Sequence, residues 1–529
     1  MKLYRAFATV GGLTMVSRVF GFVRDMLIAG VLGTGAVADA FFVAFRFPNL
    51  FRRLFGEGAF NSAFVPLFAK RLEGEGQTAA RVFAEEALAG LLFVLLLLTA
   101  LAEIAMPWLM YLLAPGFSGT PDKFDLAVLL TRIAFPYLIC MSLVALLSGV
   151  LNSLGRFTMA AAAPILLNIV LILAILLAAA WGLGNTPGSG VVLAWGVAAA
   201  GAIQLAALWI AVKRAGIDLR LRRPVWNSDL RRLVRLGLPG VISGGVTQIN
   251  IVIGTVIASL QAGAVSYLYY ADRLYQLPLG IVGVAVGVVL LPDLARSLRA
   301  GDHRSVMDNQ NRSIEFALLL TLPAALALAV AAEPIIRVLF ERGAFGVADT
   351  RATAWALTAF AIGLPSFVLI KVLQPAFFAR EDTRTPMRYA VWNMVLNVAG
   401  SIAFFFTFQQ VGLMPHVGIA LATSLSGWVN AVLLWRALDK REHVTVDDRL
   451  RRNVMLIVLA SVGMGAAIWV LIALLAAPLA TAADVARQAG ALTLVLTAGL
   501  VVYALIIQMA GVMRWGDFLR RLARREHES

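Results

Sequence analysis

Residues 17–66 read SRVFGFVRDMLIAGVLGTGAVADAFFVAFRFPNLFRRLFGEGAFNSAFVP, and this stretch combines the apolarity of a membrane segment with an unusual number of charges. A cation at the centre of a spanning helix opposes insertion by about 2.5–3.5 kcal/mol, so several together need compensation. The stretch therefore predicts counter-ions on neighbouring helices, a water-filled cavity or an anionic ligand. Its charged residues are Arg18, Arg24, Asp25, Asp39, Arg46, Arg52, Arg53 and Glu57.

The whole chain has the composition of an all-α polytopic membrane protein. Of its 529 residues, 60% are hydrophobic and 14% are charged, and its mean hydropathy is +0.84. Basic residues concentrate in alternate connections, which by the positive-inside rule places both termini in the cytoplasm. The net charge of +15 is therefore attributed to topology and to attraction for anionic lipid, not to nucleic acid. Hydropathy predicts fourteen spans, near residues 8–33, 36–60, 82–113, 124–152, 158–182, 190–212, 231–259, 264–295, 312–340, 348–378, 387–408, 415–436, 453–477 and 488–511.

An internal repeat with an offset of about 228 residues organises these helices. It predicts two six-helix lobes, residues 1–215 and 228–442, related by an axis along the membrane normal and enclosing a substrate site. Two extra helices within 450–511 and a basic cytoplasmic tail, 512–529, follow the lobes. The matching pairs are Gly35-Ala36-Val37 with Gly263-Ala264-Val265, Val65-Pro66-Leu67 with Leu291-Pro292-Asp293, Phe117 with Phe345, Pro136 with Pro365, and Asn168 with Asn397.

The sequence carries no signature of an enzyme or of a conventional metal site. It has no Gly-x-x-x-x-Gly-Lys-Ser/Thr loop, and we expect no catalytic residue and no cofactor. The four histidines, His303, His416, His443 and His527, lie in or near connections and are predicted to be solvated. Some amides and hydroxyls in the spans could hold a monovalent cation, but interhelical hydrogen bonding is the favoured interpretation. These residues are Gln248, Asn393, Asn397 and Thr423.

Arginine dominates the basic residues, since only six of the 45 are lysines. A guanidinium stays charged when buried and binds phosphate oxygens with a planar fork. Arginines that converge in a cavity therefore indicate a phosphate or diphosphate ligand. The alternative is that Arg18 and Arg53 only neutralise nearby acids such as Asp25 and Glu57, and both interpretations stay open.

Five motifs follow one another along the chain: Ser17-Arg18-x-x-Gly21-x-x-Arg24-Asp25, Ala38-Asp39-Ala40-Phe41, Phe47-Pro48-Asn49, Gly56-Glu57-Gly58-Ala59-Phe60 and Ala271-Asp272-Arg273-Leu274. Together they resemble the MurJ/MviN family of bacterial lipid II flippases over essentially the whole chain. The resemblance implies the multidrug/oligosaccharidyl-lipid/polysaccharide exporter fold. It also implies that the two extra helices help to form a groove for the polyprenyl tail.

The resemblance further implies a transporter rather than an enzyme. It would act as a monomer in the bacterial inner membrane, with lipid II and membrane lipids as its partners, and would move lipid II to the periplasmic leaflet by alternating access. Asn397 stands where some family members have an acid at a sodium site, so membrane potential is the expected driver. The implied headgroup-binding residues are Arg18, Arg24, Arg52 and Arg273, with Asp25 positioning Arg24 and with Asp39, Asn49, Arg53 and Glu57 as further polar elements.

Alternative functions stay open beside this resemblance. They include another polysaccharide-lipid flippase of the same superfamily and a drug/cation antiporter of the same fold. The antiporter would need an unpaired membrane carboxylate and a cationic ligand, whereas the predicted cavity is net positive. A scaffold or membrane enzyme without transport would leave the cavity arginines unexplained.

Overall fold

The computed structural model describes residues 2–52, 60–300, 302–441, 443–481 and 483–512, and within these ranges it contains helices and no strand. The predicted all-α class is therefore confirmed. A short 3₁₀ turn, Pro115–Gly119, follows α4. The helices are α1 Lys2–Leu32, α2 Ala36–Arg52, α3 Phe60–Gly74, α4 Gln77–Leu113, α5 Pro121–Ala134, α6 Tyr137–Ser153, α7 Thr158–Ala180, α8 Pro187–Arg214, α9 Ser228–Ser259, α10 Ala264–Arg299, α11 His303–Val330, α12 Ala332–Phe340, α13 Val347–Phe378, α14 Arg384–Gln410, α15 Pro415–Asp439, α16 Asp448–Leu474 and α17 Val485–Met509.

Ten helical segments in the described ranges are long and apolar enough to cross a membrane. They are α4, the α5–α6 pair, α7, α8, α11 and α13 to α17. The predicted spans that fall on α1, α2, α9 and α10 are not among the ten. A multi-span membrane protein is thus confirmed, while the number fourteen stays a prediction.

Helix boundaries differ from the predicted spans at three places. No membrane span is predicted between residues 60 and 82, and α3 forms there as a shorter helix whose charged residues lower the hydropathy without preventing a helix. The predicted span 124–152 is two helices that meet at Phe135 and Pro136. Proline lacks the backbone N–H that would continue the helix. The predicted span 312–340 is likewise interrupted, at Ala331.

The chain divides into two compact units. Unit 1 comprises Met1–Ser266 and Arg342–Gly346, and unit 2 comprises Tyr267–Glu341 and Val347–Ser529. Helix α9, which opens the second sequence repeat, groups with unit 1. The lobe boundaries drawn from the repeat stay a prediction.

Unit 1 has an aromatic interior. Phe41 stacks on Phe45 within α2, with 5.9 Å between ring centroids. Phe64 of α3 stacks on Phe83 of α4 at 5.6 Å, and all four rings are buried. Such pairs contribute about 0.5–1.5 kcal/mol each beyond the area they bury, so the α3–α4 contact is held by more than burial alone.

The basic connection between α8 and α9 is fixed by acids of α4. The carboxylate of Glu85, which is 1% exposed, accepts a hydrogen bond from the backbone N–H of Arg220 at 3.0 Å and from Nε of Arg222 at 2.5 Å. Glu86 accepts a hydrogen bond from the side chain of Asn227 at 2.7 Å. Asn227 in turn caps α9 by accepting from the backbone N–H of Leu230. The segment is therefore anchored although it contains no helix.

The two extra helices pack against α11 of unit 2. At one end, Arg312 pairs with Glu315 and Asp447, and Asn453 of α16 donates to Glu315 at 2.8 Å. Further along α16, a Cβ added to Gly465 would lie 2.6 Å from the side chain of Leu326, so the helices approach closely there. This small-residue contact is typical of helix packing in membranes.

The hydroxyl of Tyr503 in α17 donates to the carbonyl of Leu319 in α11 at 2.7 Å, so α17 also contacts α11. Asp382, in the connection between α13 and α14, accepts a hydrogen bond at 2.7 Å from Arg441, which follows α15. Hydrogen bonds from Arg441 and Thr385 hold the pKa of the Asp382 carboxyl below its usual value.

The 3₁₀ turn and the end of α9 make a contact that leaves no room for a side chain. The backbone N–H of Gly116 donates to the hydroxyl of Ser259 at 3.0 Å, and a Cβ on Gly116 would overlap the backbone carbonyl of Ser259. A Cβ on Gly119 in the same turn would meet open space. Gly119 therefore serves as a control position for Gly116, because only Gly116 lacks room for a side chain.

We expect Gly116→Ala to lower the free energy of unfolding by about 1–3 kcal/mol, because the new methyl group must push two backbones apart. Thermal unfolding of the detergent-solubilised protein measures the effect. Gly119→Ala is the control and should change stability by less than about 0.5 kcal/mol. Equal melting temperatures for the two variants would contradict the close contact.

Candidate functional site

Arg24 in α1 is buried, and its hydrogen-bond partners in unit 1 include Asp25 and Asn168. Its Nε and Nη2 donate to Oδ1 of Asp25 at 3.0 and 2.7 Å, and its Nη1 donates to Oδ1 of Asn168 in α7 at 2.8 Å. The amide of Asn168 donates to the carbonyl of Ser17 at 2.9 Å. Ser17 and Arg24, seven residues apart, therefore meet the same neighbour, as helical spacing predicts. Asp25 thus hydrogen-bonds Arg24, while its role in positioning Arg24 for a headgroup stays a prediction.

The Arg24 guanidinium also lies over the ring of Phe45, with its central carbon 5.7 Å from the ring centroid. Arg24 is 4% exposed and Asp25 is 2% exposed. A guanidinium removed from water is tolerable here because its charge is balanced by an adjacent carboxylate and its planar fork is hydrogen-bonded. The pair as a whole carries no net charge.

Asp39 in α2 is the most completely enclosed of the candidate acids that the structure describes, with no exposed surface. Its Oδ2 accepts from Nζ of Lys123 at 2.7 Å and from the backbone N–H of Gly263 at 2.9 Å. Its Oδ1 accepts from the backbone N–H and the hydroxyl of Ser266 at 3.0 and 2.7 Å. Four donors thus satisfy one carboxylate, and two of them are the backbone N–H groups at the start of α10, where the helix dipole favours an anion.

Three further polar residues of the stretch 17–66 lie in the described parts of α1 and α2. Arg18 is half-buried, and no described carboxylate forms an ion pair with it. Arg46 donates through Nη1 to the hydroxyl of Thr255 in α9 at 3.0 Å. The amide of Asn49 donates to the carbonyl of Phe45 in its own helix at 3.3 Å.

Three expected residues cannot be placed in this site. Arg53 and Glu57 lie outside the described residues, as does the Gly56-Glu57-Gly58 motif. Arg52 ends α2, and its side chain is outside the description. Their roles stay predictions.

Arg273 belongs to α10 in unit 2. Its Nη2 donates to the hydroxyl of Tyr269 at 2.8 Å, and its guanidinium lies over the same ring at 4.8 Å from the centroid. The neighbouring Asp272 accepts from the side chain of Gln276. A ring that both stacks on a guanidinium and hydrogen-bonds to it fixes the direction of the side chain.

The candidate cation site stays a prediction. Gln248 is buried in α9 of unit 1, whereas the other three residues belong to unit 2. In unit 2, Asn397 accepts from the hydroxyl of Ser401 at 3.5 Å, and the hydroxyl of Thr423 donates to the carbonyl of Ile419. Asn393 has a buried side-chain oxygen for which the described structure offers no donor.

Two residues of the buried charge networks were missed by the sequence analysis. Asn168 appears there only as a repeat match, and Lys123 not at all. A useful signal for Lys123 was its rarity, because it is one of only six lysines. The prediction that His416 is solvated is wrong: its side chain is fully buried, and Nε2 lies 2.9 Å from the carbonyl oxygen of Ala352. In the sequence, His416 lies beside a predicted connection. In the structure it stands at the start of α15, where α13 covers it.

Comparison with known proteins identifies close relatives over nearly the whole chain. The profile of a family described as "Lipid II flippase MurJ" matches residues 28–512. A "Probable lipid II flippase MurJ" of Rhizobium meliloti (strain 1021) is 50% identical over 505 residues, which is 95% of this chain and 93% of the relative. A protein of the same description from Rhizobium tropici is 48% identical over 526 residues, covering 99% of this chain and 97% of the relative.

Solved structures show the same fold at lower identity. One is described as "Lipid II flippase MurJ, inward closed conformation"; it matches with a TM-score of 0.76 at 24% identity, covering 97% of this chain and 99% of that chain. A multidrug resistance transporter of the MATE family in the MOP superfamily, in an inward-facing conformation, matches with a TM-score of 0.65 at 16% identity. The match covers 82% of this chain and 98% of the transporter.

We expect Asp39→Asn to lower the free energy of unfolding by about 3–5 kcal/mol, because the change leaves the buried ammonium of Lys123 without a counter-charge. The double variant Asp39→Asn, Lys123→Met should recover part of this loss. Asp125→Asn, at an exposed position in α5, is the control and should shift stability by no more than about 0.5 kcal/mol. Thermal unfolding in detergent compares the four proteins, and equal loss in the single and double variants would rule out the pairing.

Proposed function

Because the chain belongs to the lipid II flippase MurJ family, we propose that it moves lipid II from the cytoplasmic to the periplasmic leaflet of a bacterial inner membrane. The observation that carries this proposal is the identity of 50% to a probable lipid II flippase over 95% of the chain. The multi-span helical fold is the scaffold such a transporter needs. We infer that the protein acts as a transporter and performs no covalent chemistry.

The candidate residues suit a diphosphate headgroup. Arg18, Arg24, Arg52 and Arg273 are proposed to bind its diphosphate and sugars. Arginine is suited to this role because its fork makes two parallel hydrogen bonds to phosphate oxygens. The contacts of Asp25 and Asn168 with Arg24 support a fixed orientation of that fork.

The charge balance assigns different tasks to these arginines. Arg24 and Asp25 together are neutral, so the net positive charge that attracts an anion must come from the other arginines. Arg18 is half-buried and has no ion pair with a described carboxylate, which suits it to this task. Arg24 would then orient the headgroup rather than attract it, since its nitrogens are already hydrogen-bonded.

Transport is proposed to follow alternating access between the two six-helix lobes of the sequence repeat. The prolyl and glycyl positions support such motion, since Pro136 interrupts a span and Pro48 and Pro365 lie inside helices. The two extra helices, α16 and α17, are proposed to guide the polyprenyl tail. Membrane potential is the proposed driver.

We expect Arg24→Ala and Arg273→Ala each to reduce lipid II on the outer face by about tenfold or more, because a charge-assisted contact to the headgroup is lost. The measurement is made in cells depleted of their own flippase. Lipid II is quantified by its accessibility to a degrading enzyme added outside.

Arg351→Ala is the matched control for this experiment. Arg351 is exposed near the start of α13, so the substitution removes the same charge without touching the candidate residues. Cells that carry the control variant should expose the normal amount of lipid II on the outer face. If both cavity variants also show normal exposure at normal protein levels, the proposed function is wrong.

Arg24→Lys tests the fork separately from the charge. A lysine carries one terminal nitrogen and cannot donate to Asp25 and Asn168 in the same geometry. We expect outer-face lipid II to fall several-fold in this variant. It should fall less in Arg18→Lys, because Arg18 forms no ion pair with a described carboxylate that the lysine would have to reproduce. The assay is the same, and wild-type exposure with Arg24→Lys would show that charge alone suffices.

A further inference from the structure

A pocket of about 790 Å³ lies in unit 1, where the ends of α6 and α8 meet the start of α7 and residue Thr9 of α1. Its wall is largely apolar and includes Leu151, Met159 and Ile210. A volume in this range is typical of sites that hold a small molecule or part of a lipid. The pocket contains none of the residues discussed above as headgroup ligands.

Two arginines border this apolar wall. Arg156 precedes α7 and Arg214 ends α8, and both are exposed. The Nη1 of Arg156 donates to the backbone carbonyl of Arg214 at 3.2 Å, which holds the two residues next to each other. Within the described residues neither guanidinium forms an ion pair with a carboxylate, so no described acid compensates their two positive charges.

The pocket lies at the ends of two helices that are long and apolar enough to span, and the ends of a spanning helix are where a bilayer changes from tails to headgroups. Arg156 lies just before the N-terminus of α7 and Arg214 is the C-terminal residue of α8, and the hydrogen bond between them brings these two helix ends together. Ile210, one turn inside the end of α8, is 50% exposed, and α7 is largely uncovered by protein. The arrangement therefore offers an apolar surface for tails directly beside two cations for a headgroup.

We propose that this pocket binds one anionic phospholipid of the surrounding membrane, with its phosphodiester between Arg156 and Arg214 and a tail on the apolar wall. Charge complementarity selects the anionic class. A zwitterionic headgroup brings its own cation to two uncompensated guanidinium groups, whereas a phosphatidylglycerol headgroup brings only a negative charge. Basic pockets between helices at a membrane surface bind acidic headgroups for the same reason.

The test uses the full-length protein in detergent, titrated with dioleoyl phosphatidylglycerol or dioleoyl phosphatidylcholine. Native mass spectrometry counts the lipid molecules that remain bound. We expect the wild-type protein to bind one phosphatidylglycerol about tenfold or more tightly than phosphatidylcholine, since each arginine beside an acidic headgroup contributes favourably. The acyl chains are identical, so the difference reports the headgroup alone.

Two independent variants examine the two halves of the pocket. Arg156→Gln with Arg214→Gln removes the cations and should abolish the preference for phosphatidylglycerol. Ala207→Trp fills the pocket while keeping both arginines, and it should lose the bound lipid as well. The matched control, Arg231→Gln with Arg232→Gln, removes two exposed cations of α9 outside the pocket and should bind like wild type.

Three results would overturn the proposal. One is equal binding of the two lipids to the wild-type protein. Another is an equal loss of phosphatidylglycerol in the arginine double variant and its control, which would indicate attraction by overall charge. The third is displacement of phosphatidylglycerol by equimolar undecaprenyl diphosphate, which would assign the pocket to a diphosphate lipid instead. The lipid II assay is not used, so these outcomes are independent of the proposed function.

Discussion

The carboxylate of Asp39 has no exposed surface, and it illustrates the constraint on the buried charges of this chain. A carboxylate in an apolar interior is stable only if a counter-charge and hydrogen-bond donors replace the water it has lost. Lys123 supplies the counter-charge, and Gly263 and Ser266 supply the remaining donors. Because these partners come from α5 and from the start of α10, one buried acid determines how three separate segments of sequence are placed within unit 1.

The same constraint gives Arg24 a different role from the one that its charge alone indicates. An isolated arginine in a membrane protein attracts anions, but Arg24 is already balanced by Asp25 and fixed by Asn168. In the proposed function, Arg24 would therefore contribute to headgroup binding through its direction more than through its charge. Arg156 and Arg214 are the opposite case, since they are exposed at helix ends and form no ion pair with a described acid, which is why we propose an anionic ligand there.

Close packing against glycine is the second organising feature, against a backbone at Gly116 and against the side chain of Leu326 at Gly465. At Gly116 and Gly465 the neighbouring segment occupies the space where a side chain would be. Helices in a membrane gain little from excluding water, so such contacts contribute through dispersion and through short hydrogen bonds. They explain why the 3₁₀ turn sits firmly against α9 and why α16 lies firmly against α11.

The sequence by itself determined the helical class, the membrane setting and the Arg24–Asp25 motif, because hydropathy and helical spacing are local properties. Only the tertiary structure identified Asn168 and Lys123 as the partners of the buried charges, since a partner more than eighty residues away depends on which helices pack together. It also decided that His416 is buried, because the covering helix α13 is remote from it in sequence. Pairing and burial are properties of the packed helices, and no window of sequence contains them.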